Sequence, residues 1–256
     1  MLTEKSIVLK YNNLRSLPIL AILLYAWTGW SGELSIGAVG AVTIAPYKDY
    51  DTIVLPFPFV TYKDDHFFIK GTSLGAYLIK NDTHELSIGG SYLGLEFKPS
   101  KTNDAALKQL DKRHSTVMAD VSYSYVSKVG LVRAQLAQDV LGESNGTLGN
   151  VSLHVPWITE SFVIMPGIGV QWASSNHNKH YYGISGREAE RSGLKQYKPG
   201  NTFSPFLTLE AKVKLSERWD AVAKGRVEYL PDKIKDSPMI GKSYAASIMA
   251  GVQYNF

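Results

Sequence analysis

The sequence contains no cysteine among its 256 residues. This absence excludes a disulfide framework, thiol catalysis and cysteine zinc sites. Charged residues make up only 20% of the chain, hydrophobic residues make up 45%, and the mean hydropathy is -0.10. Such a balance excludes both a disordered chain and a bundle of apolar membrane helices.

The sequence also lacks a strong excess of charge of one sign. Its net charge is +4, and residues 1–32 hold Lys5, Lys10 and Arg15 against Glu4, which leaves +2 for the remainder. Nucleic-acid binding needs a concentrated basic face. We therefore expect no nucleic-acid partner.

Residues 1–32 have the pattern of a secretory signal peptide. The cationic stretch through Arg15 is followed by the apolar run 17–30, which is too short for a comfortable membrane span. Cleavage is expected near Gly32, although Trp30 stands where a small residue is usual. The alternative is a buried or membrane-anchoring N-terminal helix. The sequence thus predicts an exported protein with one folded domain, residues 33–256.

From residue 33 onward the sequence alternates with a period of two, which is typical of β-strands. The 15 tyrosines and 22 glycines also favour strands and tight turns. The last segment shows the alternation best, because one of its faces consists of Tyr244, Ala246, Ile248, Ala250, Val252, Tyr254 and Phe256.

Three features favour a membrane barrel over a soluble sandwich or lipocalin-like barrel, whose strands also alternate. The strands are long enough to cross a bilayer at a tilt, and aromatic residues collect near their ends. The last strand, with Tyr254 and Phe256, resembles the signal that the assembly machinery of bacterial outer-membrane barrels reads. We predict an all-β, transmembrane, antiparallel up-and-down β-barrel in the cell outer membrane, in contact with lipid and lipopolysaccharide.

The alternation delimits eleven strands, at 33–45, 52–63, 66–80, 85–98, 114–127, 129–141, 147–158, 161–173, 201–215, 217–230 and 242–256. An even number is expected when both chain ends face the periplasm. Segment 66–80 is interrupted at Gly71, Thr72 and Ser73, and a turn or kink there would bring the total to twelve. The longer links, 99–113, 174–200 and 231–241, then fall outside the cell.

The longest loop, 174–200, carries the signals of a short helix. Ser185 and Glu188 have the spacing of a capping box, and Gly193 is a suitable C-terminal stop. A folded loop implies a plug or a contact surface, for which the candidates are Tyr181, Tyr182, Arg187, Glu188 and Arg191. A helix that only closes the barrel mouth, with salt bridges to its own barrel, is an equally open interpretation.

At this loop the sequence resembles the MipA/OmpV family of outer-membrane proteins. The resemblance is carried by Tyr181 to Ser185, Arg191 to Leu194, Tyr197 and Pro199, with Glu33 to Gly37, Ala45 to Tyr47, Gln109 to Arg113, Asp236 to Ile240 and Phe256. It covers residues 33–256 and implies the fold and the location. The family namesake is described as a scaffold between a lytic transglycosylase and a murein synthase, and other members as porins or adhesins.

Charged residues on the polar strand faces are expected to point into the barrel. They carry both signs: Arg133, Asp139, Glu210, Lys212, Lys214, Lys224, Arg226 and Glu228. A basic stripe on adjacent strands could favour an anionic solute if a pore exists, and it consists of Lys212, Lys214, Lys224 and Arg226. Mutual neutralisation by salt bridges across the lumen is the favoured alternative.

Motifs for catalysis are few. Ser152 and His154 share a strand face, but no motif supplies the orienting group and oxyanion donor that hydrolysis needs. His177 and His180 lack the further ligand that a metal site requires. We therefore expect no catalytic residue, no cofactor and no metal.

The leading functional hypothesis is a non-enzymatic scaffold for peptidoglycan-remodelling enzymes, a lytic transglycosylase and a murein synthase. Its periplasmic turns are short, which favours a weak or transient interface. The alternatives are a narrow channel, or porin, for small polar or anionic solutes, and an adhesin that acts through the long loops. An enzyme would require Ser152 or His154 for turnover of lipid or lipopolysaccharide.

Overall fold

The computed structural model describes residues 32–256, so the expected export signal lies outside the described residues except for Gly32. The described chain is mostly strand. The strands are β1 (Glu33–Ile44), β2 (Ile53–Lys63), β3 (Phe67–Lys70), β4 (Ser73–Lys80), β5 (His84–Leu93), β6 (Thr116–Ser127), β7 (Gly130–Asp139), β8 (Thr147–His154), β9 (Trp157–Ile158), β10 (Phe162–Ala173), β11 (Thr202–Lys214), β12 (Trp219–Tyr229) and β13 (Tyr244–Asn255).

The strands form a closed antiparallel barrel in which each strand pairs with the next along the chain, except that β8 and β9 both pair with β10. β1 and β13 close the ring, with register from Ser35 opposite Asn255 to Ile44 opposite Ala246. The two-residue β9 continues β8 along β10 after an interruption that contains Pro156, a residue that cannot donate to a ladder. The barrel therefore has twelve strands.

A turn at Gly71 divides segment 66–80 into two strands, β3 and β4, which gives the expected total of twelve. β3 and β4 form a tight hairpin with Lys70 opposite Ser73, and the turn residue Gly71 has φ +62°. This left-handed conformation costs glycine little, whereas a side chain there would be strained. The split of segment 66–80 into two strands is confirmed.

The alternating apolar side chains point away from the barrel axis. Ile248 is 61% exposed and Leu207 is 60% exposed, although both lie in mid-strand. Such a surface would be unfavourable in water, but it matches a hydrocarbon environment. Trp157 and Tyr229 are exposed near strand ends, as an aromatic girdle requires.

The links at the two ends of the barrel differ in length. At the turn end, which also holds Phe256, they are 64–66, 81–83, 128–129, 159–161 and 215–218. At the loop end, four longer segments, 45–52, 94–115, 174–201 and 230–243, form what we call the cap. It contains the helices α1 (Ser175–Tyr182), α2 (Gly186–Ser192) and α3 (Asp232–Lys235), and the 3-10 helices Pro99–Lys101 and Leu107–Gln109.

The expected helix of the longest loop is α2. Ser185 caps it in a complete capping box with Glu188, and Gly193 ends it at φ 73°. The sequence analysis did not predict α1, which Ser174 caps by accepting a hydrogen bond from the His177 amide. Among the described residues no helix is long and apolar enough to cross a membrane.

Candidate functional site

The hydrophobic core of this protein lies in the cap. Its buried members come from all four cap segments: Ala45, Tyr47, Tyr50, Phe97, Leu107, Leu110, Tyr181, Tyr182, Ile184, Leu230, Ile234, Met239 and Ile240. Tyr47 is fully buried, with ring centroids 4.9 Å from Phe97 and 5.3 Å from Tyr50. Burial raises the pKa of Tyr47 well above its usual value.

A buried ion pair joins two cap segments. Arg113 Nη2 donates to Glu188 Oε1 at 2.6 Å, and both side chains are at most 10% exposed. The same carboxylate accepts hydrogen bonds from the Asp111 amide at 3.0 Å and from Ser185. Burial favours the protonated acid, but these hydrogen bonds and the Arg113 charge hold the pKa of Glu188 below its usual value.

The structure corrects part of the expected contact surface in the longest loop. Tyr181, Tyr182 and Glu188 are buried because they pack into the cap, so they present no surface to a partner. Arg187 and Arg191 are exposed on α2, and Arg191 pairs with Asp111 at 2.7 Å. This loop therefore acts mainly as a packed part of the cap.

Two histidines lie inside the cap beside Tyr181. Their ring centroids are 4.8 Å (His177) and 4.6 Å (His180) from the tyrosine ring. Burial lowers the pKa of His177 to about 4, and the nearby His180 adds to this effect. Within residues 32–256 no three side chains of His, Asp or Glu gather in a way that could hold a metal ion.

A second, smaller apolar cluster lies inside the barrel beneath the cap. Four inward-facing residues at the loop end of the strands pack together and are at most 6% exposed: Met118, Ala137, Leu148 and Ala173. Leu93 packs against them. These side chains form an apolar cluster on the inner face of β6, β7, β8 and β10 at the loop end of the barrel.

Asp139 was expected among the lumen charges, but it is buried near the apolar cluster and does not line the cavity below. It ends β7, and its carboxylate accepts hydrogen bonds from Thr116 Oγ1 at 2.5 Å and the Ser144 amide at 2.6 Å. Further bonds come from the amides of Leu141 and Asn145. Apart from Thr116 of β6, these partners lie in the link 140–146, so Asp139 orders that link.

Below this apolar cluster the lumen contains a cavity of about 900 Å³. Its lining includes five of the expected lumen charges: Arg133, Glu210, Lys212, Lys224 and Arg226. Glu210 lies between two of the cations, 2.9 Å from Lys224 and 3.7 Å from Arg133. Pairing is therefore extensive, as the neutralisation alternative supposed.

The other expected lumen charges lie at the margins of this cavity. Glu228 pairs with Arg226 at 2.8 Å, and the Arg226 guanidinium lies 3.6 Å from the centroid of the Phe206 ring. Lys212 reaches Asp220 at 3.0 Å. Lys214, the last residue of β11, is exposed and does not line the cavity.

Ser152 and His154 do meet inside the lumen. Ser152 Oγ lies 2.9 Å from His154 Nε2, and both residues are buried. The other ring nitrogen, Nδ1, has no hydrogen-bond partner among the described residues, so nothing orients the ring as a catalytic base would need.

The expected assembly signal is an ordered part of the barrel rim. The Tyr254 ring packs edge-on against Trp219 at 5.3 Å and Phe256 at 4.9 Å, and its hydroxyl accepts from Arg218. The Phe256 amide donates to the Leu34 carbonyl at 3.0 Å, which ties the last residue to the first strand.

These features define a transmembrane β-barrel whose long loops pack together into a cap at one end. The model of the family described as "MltA-interacting protein MipA" matches residues 36–256, and the chain belongs to this family. It is 39% identical to the MltA-interacting protein of Escherichia coli (strain K12) over 225 residues, covering 88% of this chain and 91% of that one.

A further relative agrees with a location in the outer membrane. The chain is 25% identical to the outer membrane protein OmpV of Vibrio cholerae, covering 89% of this chain and 86% of that one. A solved outer membrane channel from Pseudomonas putida F1 covers 88% of this chain and 96% of its own, with 8% identity and a TM-score of 0.44. The protein is an outer-membrane β-barrel, and barrels of this kind have short turns on the periplasmic side and longer loops outside.

Proposed function

We propose that the protein is a non-enzymatic scaffold that binds a periplasmic lytic transglycosylase at its turn end and, with it, a murein synthase. The observation that carries this proposal is the packed cap, because four loops that share one buried core at the loop end do not favour free passage across the membrane. The name of the 39% identical relative, MltA-interacting protein, supplies the partner class.

The turns at the turn end carry an excess of carboxylates, although Lys63, Lys80 and Lys214 stand at the adjoining strand ends and Lys80 pairs with Asp65 at 3.0 Å. The five turns contain only two cations, Lys128 and Arg218, and five carboxylates: Asp64, Asp65, Asp82, Glu160 and Glu217. Asp65 has a side chain that is 90% exposed. Because each turn is short, the surface is small, and a weak interface that depends on ionic strength follows.

Reversible cross-linking in intact envelopes, followed by capture of this protein, tests the proposal. The double variant Asp82→Lys and Glu160→Lys reverses two exposed charges at the turn end. We expect it to lose the co-captured lytic transglycosylase. The matched control, Glu143→Lys with Glu190→Lys, makes the same charge change at exposed positions of the loop end and should retain it. Equal recovery from both variants would contradict the proposed surface.

A narrow channel for anionic solutes is the second candidate, and the cationic excess among the cavity-lining residues favours it. If solutes pass, the cap must open, and replacement of Lys224 or Arg226 should change ion selectivity in a bilayer recording. Conductance that is absent before and after removal of the cap segment 174–201 would eliminate this candidate.

A further inference from the structure

The barrel wall has an interruption beside β2. β2 pairs with β1 along its whole length, but with β3 only from Thr61 to Lys63. β3 is four residues long and turns back at Gly71, whose amide donates to the Val60 carbonyl at 2.9 Å. Among the described residues, 53–59 of β2 therefore have a paired strand on one side only. We call the space above the β3–β4 turn the side gap.

The sequence of β2 is suited to this unpaired edge. Since the Val60 carbonyl points to the side of β3, the backbone groups of residues 58 and 56 point to the same side. Both are prolines, opposite Ala38 and Gly40 of β1. Proline has no N–H, so two donors that an open edge would leave unsatisfied in the bilayer are absent.

Three phenylalanines line the inner surface next to the side gap, and Lys70 lies over the ring of one of them, 4.7 Å from the Phe68 centroid. Phe57, Phe59 and Phe68 line the cavity. Phe59 packs against Gly71, where an added methyl group would lie 2.8 Å from its ring. Leu55 points inward with these residues by alternation, yet it is 57% exposed. The cavity thus reaches the gap through a surface of aromatic and aliphatic side chains.

The wall across the lumen is polar. β10 and β11 lie six strands from β3 and β4 in the ring of twelve. There Glu210 holds Lys224 and Arg133, and two buried atoms, His154 Nδ1 and Thr208 Oγ1, lack hydrogen-bond partners among the described residues. Both atoms border Gly167, because a methyl group added at that glycine would contact each of them. Buried polar atoms of this kind are usually satisfied by water or a ligand.

We propose that the lumen binds a single acyl chain with an anionic head group, which enters from the bilayer through the side gap. The chain lies along Phe57, Phe59 and Phe68, and the head group lies at the opposite wall near Lys224 and Arg133. His154 and Thr208 supply the further hydrogen bonds. The cavity-lining charges comprise five cations and three carboxylates, so an anion is favoured. A volume of about 900 Å³ is within the range of pockets that bind such small molecules.

Photo-crosslinking with a diazirine-bearing palmitate tests this site in the full barrel, refolded in phosphatidylcholine vesicles. We expect saturable labelling of residues 53–60, which unlabelled palmitate displaces and methyl palmitate does not. Competition by phosphatidylglycerol identifies a membrane lipid as the source of the chain, and competition by palmitate alone identifies a free fatty acid. Labelling spread evenly over outward residues such as Ile248 and Leu207, without competition, would overturn the proposal.

Matched variants separate the two halves of the site. Phe59→Ala removes a ring that lines the cavity. The control Phe67→Ala removes a ring that is 55% exposed and faces outward beside Phe68. Lys224→Gln removes a lining cation, and Lys214→Gln removes an exposed one outside the cavity. We expect an apparent affinity about tenfold lower in Phe59→Ala and Lys224→Gln, because each contact contributes about one to two kcal/mol, and no change in the controls. Heat-modified migration on gels verifies that each variant is folded. Unchanged labelling in folded Phe59→Ala and Lys224→Gln would refute the site.

Discussion

The cap and the lumen of this barrel hold their charged residues in opposite ways. In the cap, the Arg113–Glu188 pair is at most 10% exposed and lies beside a packed aromatic core. In the lumen, Lys224 is 55% exposed and Glu210 is 27% exposed in a pair of similar length. The bilayer covers the apolar face of the barrel wall, so the wall needs no internal core. The loops, which project into water, must build one themselves.

The largest difference between the two regions is expected on breaking the buried pair. Glu188→Gln leaves the Arg113 charge buried without its counter-charge, and such a loss costs about 3–5 kcal/mol. The cap should open at far lower urea concentration, whereas the strands stay paired. Hydrogen exchange at the Ile184 and Tyr197 amides, which bond to each other's carbonyls at 2.9 and 3.0 Å, reports this opening. Exchange as slow as in the unmodified protein would contradict the role of the pair.

Acidification is a second way to separate the cap from the lumen. The pKa of His177 is about 4 in the folded cap, below its ordinary value of 6.5, so the open cap binds the proton more tightly. Stability is complete above pH 6.5 and is lost as the pH falls towards 4. At pH 5 the loss is about 2 kcal/mol.

Amide exchange of the cap between pH 7 and pH 5, corrected for the intrinsic pH dependence of exchange, measures this loss. The groups that act on His177 are His180 on the same helix and Asp139 at the end of β7. His177→Phe should reduce the slope of the profile to the part that comes from His180, whose pKa is also lowered by burial, and His66→Gln in an exposed turn should leave the profile unchanged. A profile that keeps its slope in His177→Phe would assign the titration to another group.

The sequence predicted the wall of the barrel far better than the cap. Period-two alternation, the break at Gly71 and the capping box of Ser185 and Glu188 are local signals, and the structure confirms each of them. The core of the cap depends on contacts between residues far apart, such as the Tyr47 hydroxyl and the Tyr181 carbonyl, 134 positions away. No spacing rule brings four loops together.

Two features of the candidate sites carried a sequence signal that was not interpreted. Pro56 and Pro58 lie two residues apart within a strand, a pattern that indicates an unpaired edge. Arg113 was noted only as part of the family resemblance, because its partner Glu188 lies 75 positions away. His154 and Thr208 meet at Gly167 because of the register in which β8, β10 and β11 pair. Residue spacing alone does not give this register.

A small effect is expected from charge removal in the lumen. Lys224→Gln leaves Glu210 with Arg133 at 3.7 Å and in contact with the water of the cavity. The loss of stability should stay below about 1 kcal/mol, because both partners are partly exposed and screened. Urea unfolding of the whole barrel in vesicles measures it. A loss as large as that of Glu188→Gln would show that the lumen is as dry as the cap.

The smallest effect is expected for an ion pair within the cap itself. Arg191 and Asp111 lie 2.7 Å apart, almost the same distance as Arg113 and Glu188, but they are 42% and 64% exposed. Arg191→Gln should therefore cost about 0–1 kcal/mol, and salt should reduce even this contribution. The same amide-exchange measurement compares it directly with Glu188→Gln. Because the two pairs join the same two loops at the same distance, a large difference between the variants can come only from burial and the hydrogen bonds that accompany it. Equal losses would mean that the cap opens as one unit whichever pair is broken.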